Sequence, residues 1–122
     1  MLEVGQEAPE PLQGLPDGVI AYPVAEIGEI LQALADPMRL AIVRDLAKCP
    51  DSGEKSCGVF DLPVTKPTLT HHFKTLKYAG LIGARMEGTR KMIHLRREAI
   101  EAVYPGLLDS VLQERRAPAV AR

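Results

Sequence analysis

Between Thr65 and Arg97 the spacing of apolar residues changes once, at Ala79-Gly80, from the roughly 3.6-residue period of a helix to the two-residue period of a strand. Before that point Leu69, Phe73 and Leu76 form one stripe, with Thr65 at the N-cap and Pro67 in the first turn. The opposite face carries Pro67, Thr70, His71, Lys74 and Tyr78. After Gly80, Ile82, Ala84 and Met86 alternate with Gly83, Arg85 and Glu87, and a turn at Glu87-Gly88-Thr89-Arg90 leads into a second strand from Lys91 to Arg96. A helix followed at once by a β-hairpin is the consequence. These 33 residues hold eight of the fifteen Lys and Arg and a single acid, Glu87. The 64 residues before them hold four basic and eleven acidic side chains, and the last 25 hold three and four, so a net charge of −1 hides a basic middle. Basic side chains gathered on a helix and its adjoining hairpin make the electrostatic footprint of a polyanion-binding surface.

The rest of the chain reads as more helix. With five aromatic residues and no Trp, a core in 122 residues must come mostly from Leu, Ile, Val and Ala, which favours packed helices in one domain whose core a partner subunit can complete. Residues 1–23 contain Pro9, Pro11, Pro16 and Pro23 with Gly5, Gly14 and Gly18, and predict an irregular arm. Val24, Ile27, Leu31 and Leu34 predict a first helix. Asp36-Pro37 ends it and begins another, Asp36 as N-cap and Pro37 at the first position, running to about Lys48 with Leu40, Val43 and Leu46 or Ala47 buried. Residues 50–55 are dense in breakers and read as a loop; Ser56 to Leu62 holds at most a short third helix, stopped by Pro63. Helical spacing resumes at Arg97, breaks at Pro105-Gly106, and continues through Leu108, Val111 and Leu112 to Arg115-Arg116. No apolar run reaches the roughly 18 residues a membrane span needs, and Glu3 and Glu7 interrupt any signal-peptide core. Two cysteines are too few for a secreted disulfide scaffold, so a cytoplasmic location is expected, without membrane contact.

Helix, helix, short helix, polar-faced helix, basic hairpin, helix is the order of a winged helix-turn-helix, a mainly α fold with a small β-hairpin wing, in which the polar-faced helix enters the DNA major groove. The strings ALADPMRLAIVRDLA and VTKPTLTHHFKTLKYAGLI, followed by a Gly-containing basic wing, resemble the ArsR/SmtB family of dimeric bacterial repressors over roughly residues 24–97. The resulting division is an arm (1–23), a winged helix-turn-helix (24–97), C-terminal helices expected to dimerise (98–116) and a tail (117–122). What the resemblance implies is a homodimer held by its first and last helices, bound to palindromic double-stranded DNA and released by a small effector whose identity is unknown.

Position by position, the resemblance places Lys66, Pro67, Thr70 and His71 on the DNA-reading helix, and Arg85, Arg90 and Lys91 on the wing; Thr68 and Lys74 complete the candidate set. Their chemistry fits independently: Lys66 can reach guanine N7 or O6, Thr70 and His71 can bond base edges, and Lys74, Arg85, Arg90 and Lys91 can neutralise phosphates. His72, beside the apolar stripe, is expected to be partly buried and hydrogen-bonded; His94 on the second wing strand is expected to pack across strands. Thiolate-sensing relatives carry a Cys-x-Cys pair where this chain has SCGVFDL, and zinc-sensing relatives use histidines in the last helices, where this chain has none after His94. No metal site or cofactor is therefore expected. Cys49 and Cys57 remain as a candidate thiol switch, by disulfide or by a soft metal shared with a partner, or as two small buried hydrophobes. With no phosphate-binding Gly-rich loop, HExxH helix or Cys-x-x-Cys pair, an enzyme is not expected. The alternative function is a winged-helix module whose basic face meets an acidic protein surface. The C-terminal stripe Leu108, Val111, Leu112 fits a dimer seam and an intramolecular contact equally well.

Overall fold

A computed structural model of the chain describes residues 9–49, 54–56 and 62–113. The described elements are β1 (Val19–Ile20), α1 (Ile27–Ala35), α2 (Pro37–Ala47), β2 (Glu54–Ser56), α3 (Lys66–Tyr78), β3 (Ile82–Glu87), β4 (Arg90–Leu95), α4 (Arg97–Val103) and α5 (Leu107–Leu112). The strands make one antiparallel sheet in the order β1-β3-β4-β2. It is a winged helix-turn-helix, with Ile30, Ile42, Leu46, Leu76, Leu81, Ile82, Ile93, Ile100 and Leu108 fully buried where the helices meet the base of the hairpin.

Helix boundaries follow local chemistry. Asp36 caps α2: its Oδ1 accepts from the backbone N–H of Met38 (2.8 Å) and Arg39 (3.2 Å), and Pro37 takes the first position, where a missing N–H costs nothing. Thr65 caps α3, its Oγ1 accepting from the Thr68 amide. The end of α3 is a Schellman motif: Leu81 N donates to Leu76 O, Gly80 N donates to Lys77 O, and Gly80 takes the left-handed φ of +82° that closes it.

Burial pushes the Asp36 carboxyl up, but the Arg39 and Met38 amides, with the charges of His72 and Arg39, outweigh it and hold its pKa below the ordinary 3.8. A depressed folded-state pKa contributes stability that is present above the unfolded value and lost as pH falls through the folded one. Asn caps a helix about as well as Asp, so Asp36→Asn should keep the geometry and lose the titration. Urea midpoints of the two proteins are expected to converge as pH falls from about 5 to below 3.8; a gap independent of pH would refute this account.

Three features differ from the sequence reading. The arm contains a strand: Val19 and Ile20 pair with Arg85 and Ala84, so residues within 1–23 extend the wing's sheet. Glu54–Ser56, expected as loop and the start of a short helix, is strand β2, paired with Met92 to His94 on β4. Both strands are too short to show a period, and a long-range partner supplies their hydrogen bonds. The expected helix over 56–62 lies otherwise almost entirely outside the described residues. Third, α1 buries Ile30, Ala33 and Leu34, whereas Ile27 and Leu31 are 44% and 51% exposed. The helix is apolar on two adjacent faces, and only one meets the core. At the other end, Leu108 is fully buried and Val111 and Leu112 pack beside it, so that stripe serves the intramolecular core.

Candidate nucleic-acid interface

Helix α3 turns Phe73, Leu76 and His72 inward and presents Lys66, Pro67, Thr68, Thr70, His71 and Lys74 to solvent. One helical face thus gathers six of the nine candidate residues. Lys74 lies over the Tyr78 ring (5.7 Å to its centre), and Tyr78 stands edge-on to Tyr22 at 5.1 Å. That stack fixes the lower half of the face against the arm. A cavity of about 510 Å³ opens beside it, with His71, Thr75 and Tyr78 on one wall and Glu29 and Arg39 on the other.

Arg39 sets the orientation of α3. Its Nε donates to Ala33 O (2.7 Å) and its Nη2 to Gln32 O (3.3 Å) at the end of α1, while Nη1 approaches His72 Nδ1 at 3.4 Å. A guanidinium only donates, so Nδ1 accepts in this contact, and Nε2 on the other side of the ring lies 4.0 Å from Asp36 Oδ1. His72, 7% exposed, therefore ties α3 to the α1–α2 corner, in the packing role its position beside the stripe suggested. The residue before it, His71, is left facing outward.

The wing contributes Arg85, Arg90 and Lys91. Gly88, at φ +65°, and Thr89 form the tight turn between the paired residues Glu87 and Arg90. Because side chains alternate across a strand, Arg85, Glu87 and Arg90 share one face of the hairpin and Met86 and Lys91 the other. Arg90 and Lys91 are both exposed and flank the ribbon. Arg85 is half-buried, with Nη2 3.6 Å from Glu87 Oε2, so the only acid in the segment partly offsets it. Met86, on the alternating apolar side with Ile82 and Ala84, is 53% exposed, because the strand outruns the core beneath it.

Two of the eight cations counted in the sequence serve the fold. Arg96 Nη1 donates to the carbonyls of Gly80 (2.9 Å) and Tyr22, and burial lowers its pKa from the ordinary arginine value. Arg97 Nη2 donates to Ala47 O at 3.0 Å, at the C-terminal end of α2. Both follow the last wing residue directly, and charge alone carries no signal that separates them from Arg90 and Lys91.

No family model matches the chain. Among curated proteins it is 36% identical over 89 residues to the uncharacterized HTH-type transcriptional regulator YceK of Bacillus subtilis, covering 68% of this chain and 83% of that protein. It is 34% identical over 84 residues to the arsenical resistance operon repressor of Staphylococcus xylosus, covering 67% and 77%. An HTH-type transcriptional regulator of Mycobacterium tuberculosis is 46% identical over 65 residues, covering 52% and 58%. The chain belongs to the ArsR family of helix-turn-helix transcriptional regulators.

Within this ArsR-family fold the thiol candidates precede α3 in the chain. Cys49 follows α2 half-buried, its Sγ donating to Asp45 O at 3.5 Å. Cys57 lies outside the described residues, and with it the expected Cys49–Cys57 pairing. Among the described residues no group of three or more His, Cys, Asp or Glu is placed to hold a metal ion. Nor is any helix among them long and apolar enough to cross a membrane.

Proposed function

We propose that this DNA-binding regulator acts as a homodimeric repressor that reads a palindromic operator through α3 and the wing and is released by a small effector. The observation that carries the reading is the face of α3: Lys66, Thr70 and His71, three side chains able to bond base edges, stand exposed together on a helix braced from behind by His72 and Arg39. A surface that only met acidic proteins would need the charges but not this base-reading set. Arg90 and Lys91, on opposite faces of the hairpin, suit phosphates on either side of a groove.

Dimerisation has support in α1. Ile27 and Leu31, one turn apart, and Val103 at the end of α4 are exposed apolar side chains, and Tyr104 Oη donates to Ala25 O at 2.8 Å, which holds the end of α4 beside the start of α1. A second copy covering this surface would bury the first helix, as the family resemblance implies, together with the end of α4. Two α3 helices would then enter successive major grooves about 34–36 Å apart, and occupancy of the operator would block polymerase.

The test is fluorescence anisotropy on the chain's own upstream DNA and a scrambled duplex, with Thr70→Ala/His71→Ala as the variant and sedimentation to count protomers per duplex. Loss of two base contacts per subunit should reduce preference for the native duplex by at least about tenfold while non-specific binding persists. Unchanged discrimination, or one protomer per duplex, would overturn this reading.

A further inference from the structure

We propose that the cleft between the C-terminal end of α2, the start of α4 and α5 binds a small, multiply charged oxyanion of the kind a phosphate ester carries. The site stands apart from the DNA reading, since it uses no residue of α3 or the wing. The cleft encloses about 360 Å³, room for a small metabolite, and brings together Arg44 and Lys48 from α2, Arg97 from α4, and Asp109 and Gln113 from the α5 end. Three cations face one carboxylate. Among the described residues neither the three cations nor Asp109 forms an ion pair.

One of the cations is already held in place and a second is unpartnered. Arg97 donates one N–H to Ala47 O at 3.0 Å, which anchors its guanidinium in the cleft and leaves the remaining N–H groups free for a ligand. Arg44 Nε is shut off from solvent with no hydrogen-bond partner, an uncompensated cost where buried polar groups are otherwise paired. An oxyanion seated against the two guanidinia gives them the charged, fork-shaped acceptor they fit best, and Lys48 adds a third donor at the rim. A neutral ligand would leave the repulsion among three cations in place. A cation would meet only Asp109.

The experiment is a titration of the full-length protein with inorganic phosphate and with pyrophosphate at constant ionic strength set by chloride, followed by thermal unfolding and by amide chemical shifts. Expected is a saturable rise in Tm, about 5 °C at ten times the dissociation constant, with shifts clustered at residues 44–48, 97 and 109–113. Lys48→Gln, an exposed change that does not touch the core, should weaken binding severalfold, and Arg44→Gln/Lys48→Gln by at least tenfold. Asp109→Asn, which removes the one like-charged neighbour of the ligand, should tighten it severalfold, a gain that a misfolded variant cannot imitate. Lys66→Ala/Lys74→Ala should bind as the parent does. The proposal is overturned if neither probe gives a saturable shift, if Asp109→Asn fails to tighten binding, or if the shift survives Arg44→Gln/Lys48→Gln and vanishes in Lys66→Ala/Lys74→Ala, which would move the anion to α3.

Discussion

Gly80→Ala is expected to destabilise the fold by about 2–5 kcal/mol. The left-handed φ of +82° costs an L-residue roughly 1–2 kcal/mol. The added Cβ would also stand 2.3 Å from Pro23 O and 2.6 Å from Val24 Cα, both backbone atoms that no rotamer change can move. Relief requires residues 22–25 to retreat, which stretches the Ala25 N–H to Ala79 O bond of 2.9 Å and the two carbonyl contacts of Arg96. Overpacking of this kind costs about 1–3 kcal/mol more. Against a typical total of about 5–15 kcal/mol, the Tm should fall by roughly 8 °C or more. Gly88→Ala is the matched control: its φ is +65° but nothing lies within 4 Å, so only the backbone term of about 1–2 kcal/mol applies. Thermal unfolding of the two variants decides the point, and equal losses would refute the assignment of the excess to the Pro23 contact.

Arg90→Ala/Lys91→Ala is expected to lower DNA affinity about ten-thousandfold at 0.1 M salt while leaving the choice of sequence intact. Each phosphate contact releases counterions worth roughly tenfold in affinity at that salt, and a dimer would lose four. The slope of log affinity against log salt should fall by about three to four. Because both residues are exposed at the start of β4, beyond the core, folding stability should change by less than about 0.5 kcal/mol. This variant and Thr70→Ala/His71→Ala thus separate the two halves of the interface: one loses affinity at constant preference, the other preference at nearly constant non-specific affinity. An unchanged salt slope would remove the wing from the phosphate contacts and leave α3 alone on the DNA.

The elements that could be read without the fold are those whose signals are local. Asp36-Pro37, the Thr65 cap, the Ala79-Gly80 stop and the Glu87–Arg90 turn each involve residues within a few positions of one another, and each matches the observed boundary. The polar face of α3 was equally legible, since a helical period of roughly 3.6 residues places Thr70, His71 and Lys74 together whatever the helix packs against. Wherever an apolar or basic residue had two possible partners, the sequence left the choice open. Strands β1 and β2 exist because β3 and β4 offer them edges, and nothing in two or three residues announces that. Arg96 and Arg97 read as part of the basic footprint until the carbonyls of Gly80, Tyr22 and Ala47 are brought beside them. On α1 the sequence shows two adjacent apolar faces, and only the packing of α2 and α3 decides that Ile30 and Leu34 fill the core while Ile27 and Leu31 stay uncovered. The chain by itself determined its helices, their caps and which face of α3 is polar, because those depend on neighbours in sequence. Tertiary structure alone decided which charges are spent holding the molecule together and which remain for a ligand, because that depends on contacts between residues far apart in the chain.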